Sequence, residues 1–156
     1  MEEVSRVRDA VEVVYRAQHE RLWRALLSYS GDPDVAGDAE AEAFMQLLRR
    51  GDAVSDPAAW VWRAAFNIAG GLLQSRGREL SVAVDGSSLD PSLVEFLDAL
   101  GSLSEQQRAC VVLRHVGCFT TPEIAELLGT SPETVRTQLH RAHARLRVEL
   151  DEVTPT

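Results

Sequence analysis

Apolar residues recur along this chain at helical rather than strand spacing, and the runs break on Gly, Pro, Asp and Ser. Over residues 3–29, Val4, Val7, Val11, Val14, Leu22, Leu26 and Tyr29 line one face of a predicted long amphipathic helix. Gly31-Asp32-Pro33 ends it and opens a second helix over 33–50, expected to bury Val35, Ala39, Ala43, Phe44, Leu47 and Leu48. Its first half is expected to expose Asp34, Asp38, Glu40 and Glu42, an acidic face near the positive helix end. Arg49 and Arg50 suit the other end, and Gly51 stops it. After a loop at 51–56, with Asp56 as cap, a third helix over 57–75 is apolar nearly all round through Trp60, Val61, Trp62, Phe66, Ile68, Leu72 and Leu73. Such a helix belongs at the centre of a bundle, so these segments form one compact unit.

Periodicity is lost over 75–91, where Gly, Ser, Asp and Pro mark a linker between domains. A fourth helix follows over 91–100, carrying Leu93, Val94, Leu97 and Leu100. Ser104-Glu105-Gln106-Gln107 is a capping-box pattern opening a fifth, with Ala109, Val112, Leu113 and Val116 inward and Gly117 closing it. No segment alternates with period two. The predicted fold class is therefore all-α, with two small helical domains joined by a flexible acidic linker. An N-terminal helical bundle takes residues 1–78, the linker 79–91, a C-terminal helix-turn-helix domain 92–150, and a frayed tail 151–156.

The C-terminal domain carries two similar helix starts ten residues apart, Thr121-Pro122-Glu123 and Ser131-Pro132-Glu133. Each offers a capping hydroxyl, a proline for the first turn and an acid for the positive helix end. Gly129 stands where the first helix must stop, and Ala125 is small where two helices would touch. Ile124, Leu128, Val135 and Leu139 can fill the wedge between them. A short helix, a tight turn and a longer helix make a helix-turn-helix, whose second helix fits the major groove. That second helix sets Arg136, Arg141, Arg145 and Arg147 against the single acid Glu133 over 131–147. Val135, Leu139, Ala142 and Leu146 form its inward stripe, which leaves Arg136, Thr137, His140 and Arg141 for base edges or phosphates.

Charge qualifies this picture. The chain of 156 residues has a net charge of −8, and all sixteen basic residues are Arg. The excess acid lies in the N-terminal bundle, in the middle of the chain and in the tail rather than in the helix-turn-helix, so the isolated protein should neutralise few phosphates and bind free DNA weakly. A partner that brings it to DNA is implied. Cys110 and Cys118 read as unpaired thiols of a reducing cytosol, and His115 with Cys118 makes too small a set for zinc. No metal or other cofactor is expected. Charges at Glu2, Glu3, Arg6, Arg8 and Asp9 argue against a signal peptide, and the apolar run 57–73 is too short to span a bilayer and holds Arg63 and Asn67. A soluble, cytoplasmic protein without membrane insertion is the expectation. His19, His115, His140 and His143 show no nucleophile or carboxylate arranged as a triad, and no glycine-rich phosphate loop is present, so no enzyme is read.

The run Leu103-Ser-Glu-Gln-Gln-Arg-Ala-Cys-Val-Val-Leu-Arg114, then Thr121-Pro-Glu-Ile-Ala-Glu-Leu-Leu-Gly129 and residues 131–147, resembles the C-terminal domain of bacterial RNA polymerase sigma factors. The layout of nearly the whole chain is similar to their extracytoplasmic-function group within the sigma-70 family. Asp38, Glu42 and Phe44 fall where that family has its acid-rich polymerase-binding helix, although Ala41 replaces the usual glutamine. Trp60, Arg63 and Asn67 match the Trp-x-x-Arg-x-x-x-Asn of the helix that reads and melts the minus-ten element. The strongly basic stretch that usually follows is reduced to Arg76 and Arg78, which implies a looser hold on single-stranded DNA.

The resemblance implies a promoter-specificity subunit. Its N-terminal domain would dock on a coiled coil of the largest polymerase subunit, and helix three with the loop 51–56 would hold flipped minus-ten bases. Its C-terminal domain would read the minus-thirty-five duplex through Arg136, Thr137, His140, Arg141 and Arg145. Core polymerase, promoter DNA and an anti-sigma factor are the implied partners. Two other readings stay open: a stand-alone helix-turn-helix regulator, and a sigma-like module that sequesters an anti-sigma factor.

Overall fold

The computed structural model describes residues 1–76 and 91–153; residues 77–90, which hold Arg78 and all of the predicted linker but Pro91, and residues 154–156 lie outside the described residues. Every regular element among the described residues is helical, and the chain divides into two compact units, Met1–Glu79 and Leu80–Thr156. No described helix is long and apolar enough to cross a membrane.

The first unit contains α1 (Glu2–Ser30), α2 (Pro33–Arg50), a 3-10 turn at Gly51–Ala53, and α3 (Pro57–Ser75), each helix packing on the other two. The Asp32 carboxylate accepts from the Asp34 N–H at 2.9 Å, and Asp56 accepts from the Ala59 N–H at 3.2 Å, so an aspartate followed by proline starts both α2 and α3. Leu22, Ala25, Leu26, Val35, Ala39, Leu47, Val61 and Trp62 form the core. Buried Trp62 donates its indole N–H to Gln18 Oε1 at 2.8 Å, and Phe66 stacks between Trp62 and Tyr29.

Three expectations for this unit need correction. The N-terminal half of α1 does not bury its valines: Val4 is 63% exposed, and Val7, Val11 and Val14 are only half-buried. With 29 residues, α1 reaches about 43 Å, whereas α2 and α3, with 18 and 19, reach about 28 Å and leave its first turns overhanging. Leu48, expected inside, is exposed at the same overhang. Glu40, expected on the acidic surface, is 6% exposed and faces α1.

The second unit contains α4 (Pro91–Gly101), α5 (Glu105–His115), α6 (Thr121–Leu128) and α7 (Pro132–Val153). The capping box predicted at Ser104 and Gln107 is formed. The cap of α6 lies one residue earlier than the sequence pattern suggested. Thr120, not Thr121, takes the Glu123 N–H at 3.3 Å, and Glu123 returns to the Thr120 N–H at 2.9 Å. Only that register puts an acid three residues after a capping hydroxyl, closing a reciprocal box. Gly129 adopts φ 68°, and Thr130 N–H bonds Ala125 C=O at 2.9 Å in a Schellman closure that turns the chain into α7.

The end of α5 also differs from expectation. The left-handed residue is Cys118, with φ 60°, not Gly117. Gly117 is required for another reason: a Cβ there would lie 2.7 Å from the Phe119 ring and 2.8 Å from the Leu113 carbonyl oxygen. At its far end α7 continues to Val153, past the expected fraying point, because no glycine or proline interrupts it before Pro155. Ile124, Ala125, Val135, Leu139 and Ala142 are buried where α6 meets α7, with Leu113 and Val112 of α5 beneath them.

Candidate nucleic-acid interface

With Val135, Leu139 and Ala142 turned inward, the outer face of α7 is set by helical spacing. Arg136, Thr137, His140, Arg141 and Arg145 are all exposed and recur at intervals that keep them on one stripe. Ser131 anchors the start of this helix, its hydroxyl accepting from the Thr134 N–H at 3.1 Å. Gln138 Nε2 donates to Gln106 Oε1 of α5 at 3.3 Å, a polar tie that holds the helix on its base. Two of the arginines have acidic neighbours within the helix: Glu133 lies 3.5 Å from Arg136 and Glu149 lies 3.8 Å from Arg145. The stripe is thus a cationic, hydrogen-bonding surface on a rigid support, able to meet phosphate oxygens and base edges together.

In the first unit, Arg63 and Asn67 are exposed on α3, one turn apart, and Trp60 precedes them half-buried at the helix start. Over Trp60 sits a cation that sequence spacing had not connected with it. The Arg50 guanidinium lies 5.6 Å from the ring centroid, brought there because the turn 51–53 folds the end of α2 back on the start of α3. A tight reversal between an arginine and a tryptophan ten residues on was the only available signal. Arg76 does not stand with them as a simple exposed cation. It lies 3.6 Å from Asp32 and 3.6 Å from Asp38, tying the end of α3 to the start of α2.

The residues singled out on α2 separate by depth. Asp38 and Glu42 are exposed, the first paired with Arg76 and the second with Arg49 at 3.2 Å. Phe44 is 7% exposed and packs edge-on against Tyr15, at the floor of a groove of about 810 Å3 that Val4, Val11, Tyr15 and Leu48 also line. It backs this surface rather than presenting it.

Glu40 is a perturbed carboxyl inside the bundle. Its Oε1 is 2.6 Å from His19 Nδ1, while Oε2 is buried without a hydrogen-bond partner. Burial pushes its carboxyl above the ordinary range, and His19 opposes that push through its hydrogen bond and its charge. Tyr15 stacks on His19 with centroids 4.6 Å apart, so the dyad is built into the α1–α2 seam. In the second unit, burial drives the Cys110 thiol up to about 11, which makes it an unreactive core group; Cys118 is exposed.

A family model described as sigma-70, region 4, matches residues 93–146, which contain α5, α6 and the stripe-bearing part of α7. The RNA polymerase sigma-E factor of Streptomyces avermitilis is 32% identical over 151 residues, covering 90% of this chain and 84% of that protein. The ECF RNA polymerase sigma factor SigL of Mycobacterium tuberculosis is 29% identical over 150 residues, covering 85% of this chain and 84% of its own. Among solved structures, the sigma factor RpoE in its co-crystal with the anti-sigma factor NepR from Bartonella quintana superimposes with a TM-score of 0.72. That match spans 92% of this chain and 96% of the other at 24% identity, a likeness of fold.

Proposed function

The chain belongs to the extracytoplasmic-function sigma factors of bacterial RNA polymerase, and from that premise we propose how its surfaces divide the work. As a sigma factor it directs promoter recognition and transcription initiation. The reading of the duplex at the minus-thirty-five element falls to Arg136, Thr137, His140, Arg141 and Arg145. The observation that carries this assignment is their common exposure on α7, opposite the stripe that locks α7 into the helix-turn-helix. Trp60, Arg63 and Asn67 take the minus-ten strand, with Arg76 and Arg78 as the cations behind them. The half-buried ring of Trp60, overlain by Arg50, supports a stacking role for an unpaired base.

Asp38 and Glu42 present the polymerase-facing charge, supported from below by Phe44, and a coiled coil of the largest subunit is their partner. Residues 1–78 thus serve polymerase and the minus-ten element, residues 92–150 serve the minus-thirty-five element, and 79–91 connect them. An anti-sigma factor is a further partner, by analogy with the complex of RpoE and NepR. The protein works in the cytoplasm beside the polymerase and leaves the chemistry of RNA synthesis to it.

Run-off transcription with purified core polymerase and genomic promoter fragments tests this reading. Specific transcripts that need both core and this chain are expected, with permanganate-reactive thymines near minus ten. A footprint by the chain alone, with no transcript at any fragment, would instead establish a stand-alone regulator.

A further inference from the structure

Beside the stripe assigned on α7, α5 and α7 bring two histidines tip to tip. His115 closes α5 and His143 lies in the second half of α7; their Nε2 atoms are 3.0 Å apart and their ring centroids 5.3 Å apart. Both residues are exposed, and both belong to the same compact unit. We propose that His115 and His143 form a two-histidine site for a divalent transition-metal ion of the Zn2+ class, clasping α5 to α7 with solvent completing the coordination.

Distance is the first support. Two Zn–N bonds of about 2.0–2.1 Å meeting at a tetrahedral angle set their nitrogens about 3.4 Å apart, only a few tenths beyond the separation found here. The rings now meet as hydrogen-bond partners. Turning each about its own side-chain torsions aims both lone pairs at one point outside the helix pair, and exposure leaves room for that turn.

Protonation state is the second support. A ligating imidazole must be neutral. The 3.0 Å hydrogen bond between the two Nε2 atoms already requires one of the rings to present an unprotonated nitrogen as acceptor. Imidazole donors also select the ion: they suit Zn2+, Ni2+ and Cu2+, whereas Mg2+ and Ca2+ demand oxygen. Among the described residues no third protein ligand joins the pair, so the coordination sphere stays open and the ion exchanges with solvent. The sequence set His115 beside Cys118; its pairing with His143 across 28 residues is made only by the fold.

The site stands independently of the polymerase assignments, and titration of the full chain with ZnCl2 tests it. One ion per chain is expected, together with a rise in the melting temperature of the second unit that EDTA reverses and Mg2+ does not reproduce. His115→Gln and His143→Gln should each weaken binding by about a hundredfold, because losing either ligand removes the chelate gain. His140→Gln should leave the affinity unchanged. Melting curves of the variants in EDTA establish that they remain folded. In the unmutated chain, substoichiometric Ni2+ should broaden the imidazole resonances of His115 and His143 before those of His19 and His140. No one-to-one binding below millimolar Zn2+, affinity that survives both His115→Gln and His143→Gln, or broadening centred on His140 overturns the proposal.

Discussion

Arg136→Ala measures directly whether α7 reads bases. In the free protein the guanidinium lies 3.5 Å from Glu133, both side chains being well exposed, so that pair contributes about 0.2–1 kcal/mol and must be surrendered on docking. A bidentate contact from arginine to guanine is worth about 1–3 kcal/mol of discrimination, or roughly 5- to 150-fold in affinity. Arg136→Ala should therefore weaken holoenzyme binding to a minus-thirty-five fork within that range and relax the preference at one base pair only. Glu133→Gln should do the opposite, tightening binding by up to about fivefold, because it releases the arginine and removes a negative charge facing phosphate. The assay is equilibrium binding of reconstituted holoenzyme to a promoter duplex and to its single-base variants at fixed salt. A loss spread evenly over all sequences would make Arg136 a phosphate contact. No loss at all, with Glu133→Gln also silent, would refute the placement of this face of α7 in the groove.

Two further substitutions probe the energetics beneath these surfaces. Glu40 has a folded-state pKa raised above the ordinary 4.5, so the native state keeps a proton that the unfolded chain has already lost. Its favourable contribution is complete below 4.5 and disappears as pH climbs through the raised value. The stability advantage of the wild type over Glu40→Gln should shrink with rising pH in denaturant melts from pH 4 to 8, and a difference that stays flat would contradict the burial argument. Thr120→Ala removes the hydroxyl that caps α6 and should destabilise the C-terminal unit by about 1 kcal/mol. That is a fall of roughly 4–8 °C in its melting temperature for a unit of this size, which calorimetry resolves; Thr121→Ala should leave the transition almost unmoved.

The helices and their caps were legible because each is announced locally. Asp32-Pro33, Asp56-Pro57, Ser104 with Gln107, and Gly129 all act within one turn of their own position, and the structure uses each as its chemistry dictates. What escaped depends on length and partnership. Nothing in the periodicity of α1 tells that its neighbours are too short to cover Val4, since burial is decided by where α2 and α3 end. Glu40 looked like one more acid on a polar face; a histidine 21 residues earlier, on a different helix, holds it inside. The stripe on α7 was readable because it follows from the positions of Val135, Leu139 and Ala142 alone. Arg50 over Trp60 and His115 against His143 were not, since each pair is created by a chain reversal or by packing between elements.

A count of arginines overstates the charge this protein can offer to DNA. Arg76 is shared between Asp32 and Asp38, Arg136 lies beside Glu133, and Arg145 beside Glu149, each within 4 Å. None of these exposed or half-exposed pairs is strong, at about 0.2–1 kcal/mol each, but each must open before its arginine can displace a counterion from phosphate. The isolated chain is therefore expected to gain little from DNA, in keeping with a net charge of −8. Under the proposed function the Asp38–Arg76 pair would link two steps, because that reading puts Asp38 on the polymerase-facing surface and Arg76 on the minus-ten surface. A polymerase cation that took Asp38 would loosen Arg76 from one of its two acids as promoter DNA came within reach. On that reading the same weak contact would lower affinity for free DNA and return it once polymerase is bound, and a free chain that bound promoter DNA as tightly as the holoenzyme would refute it.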